Sequence, residues 1–196
     1  MSFASGFHGT VGGSVQSSYA DQPGVGISGM LAFASDINKC DSMYISDAAG
    51  VAAGKGVKKA QLTDAISLQS PNQSVLLPTG SETVADFVGV LVFDETMQTN
   101  ENGIPGWATG RMGSVLRYSR VGGRVYVKVR EAVTAGSSTV NWVTTAGTNN
   151  TVTYEAGEFS PAACSGGSAV STAITGAKWV TSAIAGGVAI MEFPVS

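Results

Sequence analysis

The segment 123–130 alternates apolar and large polar residues without a break. Val125, Val127 and Val129 occupy every second position, and the positions between them hold Arg124, Tyr126, Lys128 and Arg130. Successive side chains of a strand point to opposite faces of a sheet, so this pattern predicts a strand with one buried and one wet face. The chain is therefore expected to build its core from half-buried strands.

Composition supports a strand-based fold. Val outnumbers Leu by 23 to 7, and only 25 of 196 residues are charged, which excludes a coiled coil or long-helix protein. At 43% hydrophobic residues the chain has enough apolar material for a core. The net charge of -3 and the pI near 5.0 argue against nucleic acid as a partner, because affinity for phosphate backbones depends on clustered Lys and Arg.

Short apolar stretches alternate with turn residues at the spacing typical of a sandwich or barrel. We predict an all-β fold, a sandwich or barrel, in which Ala185-Gly186-Gly187 turns the chain between the last two strands. The polar segment 94–107 is predicted to be a surface loop. Weak helix candidates are 48–59, which overlaps a predicted strand, and 172–177. The predicted strands are 28–34, 43–46, 57–61, 75–77, 87–93, 112–118, 123–130, 139–144, 151–154, 177–182 and 188–193.

The N-terminal residues differ from the rest of the chain. The first 27 carry one charge, Asp21, and are rich in Gly and Ser, with isolated aromatic residues at Phe3, Phe7 and Tyr19. We interpret residues 1–26 as an extended arm and 27–196 as a single all-β domain. With so little clustered apolar area the arm either stays mobile or docks elsewhere through its aromatic anchors. The alternative is an edge strand packed on its own domain.

No pattern in the sequence indicates catalysis or a cofactor. The single histidine, His8, lies in the arm, where nothing nearby could orient it as a catalytic base. The G-x-G-x-x-G match at 24–29 is not followed by a helix, and Gly54-Lys55-Gly56 lacks the Ser or Thr of a phosphate loop. We therefore expect no catalytic residues and no cofactor.

The acidic residues and the two cysteines indicate no metal site. The acids match neither an EF-hand nor a repeat spacing, and we interpret them as exposed loop acids; the groups considered are Asp36, Asp41 and Asp47, and Glu155 and Glu158. Cys40 and Cys164 are 124 positions apart and form no C-x-x-C pair, which favours two separate thiols in a reducing cytosol over a disulfide bridge.

The termini and the hydropathy pattern indicate no membrane partner. The first ten residues lack the basic and apolar parts of a signal peptide, and no apolar run approaches the ~18 residues of a bilayer span. A soluble protein made in the cytosol is expected.

Basic residues concentrate in one segment. All five arginines lie between positions 111 and 130, and we predict a positive stripe on one sheet that binds an acidic protein surface. The alternatives are a solvated strand face that resists edge-to-edge aggregation, and nucleic-acid binding. The predicted stripe consists of Arg111, Arg117, Arg120, Arg124, Tyr126, Lys128 and Arg130.

The C-terminal third is almost uncharged. The 63 residues from position 134 to the end carry only four charges, which is sparse for a surface that faces water. Part of that surface is therefore expected to be covered in a homo-oligomer. The small residues Ala169, Ser171, Thr172 and Ala173 suit close contact between subunits, although a simple loop would have the same composition.

Several segments together resemble the structural cement, or head decoration, proteins of tailed bacteriophages. They are 87–93 (FVGVLVF), 113–117 (GSVLR), 123–127 (GRVYV), 131–136 (EAVTAG), 176–182 (GAKWVTS) and 186–193 (GGVAIMEF), within a likeness that covers roughly residues 57 to 193. The resemblance implies a compact all-β domain, a jelly-roll or barrel-like sandwich. It also implies a small homo-oligomer, a dimer or trimer, on the outer surface of the virion. It further implies synthesis in the host bacterial cytoplasm, binding to the major capsid protein and no enzyme activity.

Two other functions compete with this one. In a carbohydrate-binding or adhesin-type β-sandwich, two of Trp107, Trp142 and Trp179 would be exposed on one face to stack on sugars. A hydrolase would place two loop carboxylates across an open cleft.

Overall fold

The computed structural model describes residues 26–33, 36, 39–60, 74–94, 97–99, 105–118 and 122–194. These residues form sixteen strands and no α-helix, which confirms the predicted all-β class. The strands are β1 (Cys40–Ile45), β2 (Val51–Ala52), β3 (Gly56–Lys59), β4 (Ser74–Leu76), β5 (Phe87–Leu91), β6 (Gln98–Thr99), β7 (Pro105–Trp107), β8 (Met112–Arg117), β9 (Arg124–Lys128), β10 (Asn141–Thr145), β11 (Gly147–Asn149), β12 (Val152–Tyr154), β13 (Phe159–Ser160), β14 (Val170–Ala173), β15 (Lys178–Trp179) and β16 (Val188–Glu192).

A closed five-stranded barrel, in the order β1-β4-β3-β5-β8, forms one half of the structure. β1 runs parallel to β4 and antiparallel to β8, whose pairing with β1 closes the barrel. Its interior is filled by the fully buried side chains of Met43, Ile45, Val57, Leu91 and Val115. A closed barrel leaves no free sheet edge in this part of the chain.

Small sheets pack beside the barrel and share the largest apolar core with it. The order in two of them is β15-β16-β9 and β13-β10-β14. The ring of Phe87, on barrel strand β5, lies 4.9 Å from Trp142 of β10 and 5.9 Å from Phe193, measured between ring centroids. Aromatic contacts of this kind join the barrel to the two sheets.

The alternation in β9 is confirmed. Val125, Val127 and Val129 are fully buried, whereas Arg124 and Tyr126 are half-buried and Lys128 is exposed. This strand therefore has one face in the core and one face turned outward.

The predicted strand 28–34 is wrong. Its described residues turn at Ser28 and Gly29, and only Leu31 forms an isolated bridge, to Val125. The segment nevertheless follows the outer edge of β9, because the Gly29 N–H donates to the Tyr126 carbonyl at 2.7 Å and the Tyr126 N–H donates to the Met30 carbonyl at 2.9 Å. Gly29 has a φ of +92°, which breaks the extended conformation that a regular strand needs.

The other ten predicted strands overlap observed ones, but both helix candidates are wrong. Residues 48–59 contain β2 and β3, and 172–177 contain the end of β14 and a turn. The segment 94–107 holds β6 and β7, which pair with each other and, through β7, with β2, so it is more than a surface loop. β15 and β16 are antiparallel neighbours as predicted, and Gly186 between them has a φ of +79°.

Within the described ranges, no helix is long and apolar enough to cross a membrane. Both cysteines are half-buried free thiols, as expected for separate thiols. Burial raises the pKa of the Cys40 thiol to about 11, and the nearby carboxylates of Asp36 and Asp41 act in the same direction. Cys40 is therefore a protonated, weakly nucleophilic thiol at neutral pH.

Candidate functional site

The predicted basic residues do not share one sheet. Arg117 belongs to β8 and Arg111 directly precedes it, and β8 pairs with β1 and β5 in the barrel. β9, which carries Arg124 and Lys128, pairs with β16 instead. The prediction of one stripe is wrong because strands that are consecutive in the sequence enter different sheets. Arg120 lies outside the described residues.

Arg130 is one of four charged groups that form a cluster within the chain. Its Nε donates to both carboxylate oxygens of Glu158, at 3.0 and 2.9 Å, and its Nη2 donates to Glu155 at 3.1 Å. Lys55 lies 2.7 Å from Glu155 and 3.2 Å from Glu158. The two cations and two carboxylates neutralise each other.

The cluster is partly buried, and this changes its chemistry. The Glu158 side chain is only 5% exposed, so the prediction of an exposed loop acid is wrong for this residue. The hydrogen bonds to Glu158 raise the pKa of Arg130, and the bond from Lys55 lowers the pKa of Glu155. The cluster links Lys55, before β3, and Arg130, after β9, to the loop between β12 and β13.

Two further arginines also have acidic partners. Arg124 Nε donates to Glu192 at 2.5 Å, and Lys178 lies 3.4 Å from the same carboxylate, so the three form a row across β9, β16 and β15. The Arg124 guanidinium also lies over the ring of Phe33, 5.1 Å from its centroid. Arg117 pairs with Asp41 at 3.7 Å. Much of the predicted positive charge is thus neutralised by the chain itself.

Lys128 and Arg111 differ from these arginines. Both are exposed, and among the described residues no carboxylate lies within ion-pair distance of either. The Lys128 backbone N–H is 3.3 Å from the Ser28 hydroxyl, which places Lys128 beside the segment that covers the β9 edge. Within the described ranges Lys128 is therefore an exposed cation without a carboxylate partner.

Large apolar side chains are exposed along the same segment. Ile27, Met30 and Phe33 are 50%, 37% and 49% exposed. Gly26 lies directly on the Tyr126 ring, where any side chain at position 26 would collide with it, so Tyr126 is only partly accessible. We call this surface the β9 patch, and it consists of Ile27, Met30, Phe33, Arg124, Tyr126 and Lys128. Exposed Met and aromatic residues beside Arg are typical of protein interfaces.

Sequence reasoning placed Arg124, Tyr126 and Lys128 on an outward face, but it missed the three apolar residues of the patch. The sequence contained a signal for these residues, because Ile27, Met30 and Phe33 recur every three positions in a stretch without charge. The arm anchors Phe3, Phe7 and Tyr19, and also His8, lie outside the described residues.

The tryptophans do not form a sugar-stacking surface. Trp142 and Trp179 are fully buried, and their indole N–H groups donate to the Gly56 carbonyl at 3.3 Å and the Thr139 carbonyl at 3.0 Å. Trp107 is half-buried. The pair of exposed tryptophans that would favour carbohydrate binding is therefore absent.

The remaining acids have structural partners. Asp36 is buried, against the prediction, and accepts from the Arg124 backbone N–H at 2.9 Å and from Lys39 at 2.7 Å. Asp47 accepts from the backbone N–H groups of Ala49 and Leu77. In the part of the chain that the structure describes, no group of three or more His, Cys, Asp or Glu side chains could hold a metal ion.

A comparison with models of known protein families finds a match. The model of the structural cement proteins (E217 gp24/Pam3 gp6) matches residues 15–193, which is most of the chain. The chain belongs to this family of structural cement proteins. It is accordingly a phage capsid structural protein and a component of the virion.

A solved structure has the same fold. A chain in the capsid of Myoviridae phage XM1 aligns with a TM-score of 0.53 at 16% identity, over 92% of this chain and 95% of that one. No curated protein matches the sequence.

Proposed function

We propose that this cement protein binds the outside of the phage head, contacts the major capsid protein and stabilises the capsid lattice. A protein that binds only the assembled shell stabilises that shell by mass action, since its binding free energy is added to the assembled state alone. In this proposal residues 27–196 form the binding domain, which is made in the host cytoplasm and acts as a homo-oligomer.

The observation that carries the proposal is the β9 patch. Within the described ranges it combines an exposed cation without an acidic partner, Lys128, with exposed apolar side chains of the neighbouring segment. Such a surface suits a partner with an apolar contact area and a nearby carboxylate. Of the seven residues predicted from the sequence, Lys128 and Tyr126 remain as proposed contacts, and Arg124, which is paired with Glu192, lies beside them.

The other basic residues have different proposed roles. Arg130 and Arg117 are assigned to internal ion pairs, because an arginine already paired with a carboxylate must lose that partner before it can bind another. Arg111, exposed just before β8, is proposed as a second contact on the barrel side. The arm of residues 1–26 is proposed to reach a neighbouring subunit through Phe3, Phe7 or Tyr19.

Modest contacts suffice for stable decoration. An oligomer that grips two or more capsid subunits gains ~10²–10⁴ in avidity when its geometry allows simultaneous contact. Each β9 patch can therefore bind weakly while the assembled oligomer stays attached.

The proposal predicts that Lys128→Glu weakens binding to undecorated heads by at least about tenfold, because it replaces an attractive charge with a repulsive one at the contact. The matched control is Lys59→Glu, which makes the same change at an exposed lysine of barrel strand β3. Both variants should keep the wild-type unfolding midpoint, as exposed substitutions usually do.

The measurement is co-sedimentation of purified protein with undecorated heads over a range of salt concentrations. Wild type and Lys59→Glu should bind alike, and added salt should weaken both. Equal occupancy of Lys128→Glu and Lys59→Glu would remove the β9 patch from the contact. Failure of the wild type to bind at all would end the proposed function itself.

A further inference from the structure

Strand β14 lies at the outer edge of the sheet β13-β10-β14 and pairs on one side only. The Ile174 N–H donates to the Val140 carbonyl at 2.9 Å, so the backbone groups of Ile174 face β10. Alternate residues of a strand direct their backbone groups to opposite edges. Thr172 therefore also faces β10, while Ser171 and Ala173 face away from the sheet.

The opposite strand supports this assignment. Val143 is the register partner of Ser171 on β10, and its N–H donates to the Glu158 carbonyl on the far side at 2.9 Å. No backbone group of the described residues bonds to the outward N–H or carbonyl of Ser171 or Ala173. Ser171 and Ala173 thus present two N–H donors and two carbonyl acceptors at this edge. None of the four has a backbone partner among the described residues.

Two other sheet edges of the same chain are covered. The outer edge of β9 bonds to Gly29 and Met30, as described above. On β15, the Trp179 N–H donates to the Ser137 carbonyl and the Trp179 carbonyl accepts from Gly136, both at 2.8 Å. Proteins usually cover or charge an edge strand, because an open edge is a template for pairing with another chain.

The β14 edge carries none of the charges that usually protect such a strand. No charged residue occurs between positions 159 and 177, and β14 itself contains neither lysine nor proline. Val170 is 46% exposed and Ala173 is exposed. Among the described residues, the edge is therefore open, uncharged and partly apolar.

We propose that β14 pairs with β14 of a second copy, antiparallel, about a two-fold axis at Thr172. In this register Ser171 of each copy lies opposite Ala173 of the other, and the outward groups form four backbone hydrogen bonds. Pairing would join two three-stranded sheets into one of six strands. A second copy fits best because an uncharged edge can meet itself without repulsion, whereas a charged edge would require a complementary partner.

This inference rests on the homo-oligomer part of the proposed function and names its surface. β14 and β9 belong to different sheets, and no residue of the β9 patch takes part in the β14 pairing. A dimer formed in this way keeps two β9 patches available, which is the condition for the avidity argued above.

The first test is the mass of the full chain in solution, measured by size-exclusion chromatography with light scattering. Wild type should have twice the 19.9 kDa mass of one chain. Ala173→Lys should be monomeric, because an edge lysine opposes pairing, and Ala185→Lys, the same change at an exposed turn residue, should remain dimeric. Val170→Lys is the second edge variant if Ala173→Lys does not fold.

The second test is a cross-link. Cα atoms of directly opposed, non-hydrogen-bonded residues lie ~4.5 Å apart, within the range that a disulfide spans. Thr172→Cys should therefore form a covalent dimer on oxidation, whereas wild type and Ala185→Cys should not.

Several results would overturn the β14 dimer. They are a monomeric or trimeric wild type, a folded Ala173→Lys variant that stays dimeric, and Thr172→Cys chains that do not cross-link. Binding to heads is scored separately. A wild-type dimer that forms through β14 but does not bind heads would end the proposed function and leave this inference standing.

Discussion

Arg130→Met should destabilise the protein, although Arg130 lies on the outward face of its sheet. The variant keeps a long side chain but removes the bidentate partner of Glu158, whose carboxylate is buried. Removing one partner of a fully buried ion pair costs about 3–5 kcal/mol. Lys55 remains 3.2 Å from Glu158, and the Arg130 side chain is partly exposed, so we expect a smaller loss of about 2–3 kcal/mol.

For a chain of this length each kcal/mol shifts the thermal midpoint by roughly 2–4 °C, so the midpoint should fall by roughly 4–12 °C. The control is Lys128→Met, two positions earlier on the same face, where the described residues provide no ion pair to lose. Circular dichroism at fixed protein concentration measures both midpoints.

A double-mutant cycle assigns the loss to the ion pair. Glu158→Gln alone should also destabilise, and the double variant Arg130→Met with Glu158→Gln should lose less than the sum of the two, with a coupling of about 1–2 kcal/mol. If Arg130→Met melts within a degree or so of Lys128→Met, Arg130 does not stabilise the fold and returns to the candidate binding surface. If the two losses simply add, the stabilisation does not come from the pair of Arg130 with Glu158.

Two further predictions concern stability. Burial acts to raise the pKa of Glu82, but bonds from Lys58 and the Thr79 N–H outweigh it and hold that pKa at about 2, against an ordinary 4.5. The resulting stabilisation is complete above pH 4.5 and is lost as the pH falls toward 2. Glu82→Gln should therefore lower the free energy of unfolding by about 1–2 kcal/mol at pH 7 and make it depend less on acid pH. The prediction is wrong if the free energies of wild type and variant, measured by urea unfolding, fall in parallel down to pH 2. Gly89→Ala should lower the free energy of unfolding by at least about 3 kcal/mol, because the added Cβ would collide with the Leu116 carbonyl on the neighbouring strand β8. An unchanged urea midpoint would exclude that close approach.

The sequence predicted strands wherever apolar periodicity was strong. The alternation around Val127 and the apolar run that starts at Phe87 both form strands, and both contribute to the main core. The missed strands, such as β11 and β13, are two to four residues long, which is too short to show a period in the sequence. Such strands form because neighbouring chain offers backbone partners, which a local pattern does not contain.

The candidate site was predictable only in part, for a related reason. Alternation placed Arg124, Lys128 and Arg130 on an outward face, which is correct. It did not reveal that Arg130 pairs with Glu158, 28 positions later, or Arg124 with Glu192, 68 positions later. Ion pairs across sheets depend on topology, so a cluster of like charges in the sequence is not by itself a charged surface.

Pairing of charges inside the chain also explains why its two proposed contacts differ in character. The four charges between position 134 and the end all have partners, since Glu155 and Glu158 pair with Lys55 and Arg130, and Lys178 and Glu192 pair with each other and with Arg124. The β14 edge is therefore free of charge repulsion and can pair with the same edge of a second copy. Lys128 keeps its positive charge, which suits an acidic surface on a different protein. A protein that must bind both itself and a shell gains specificity from this separation, because neither surface is complementary to the other's partner.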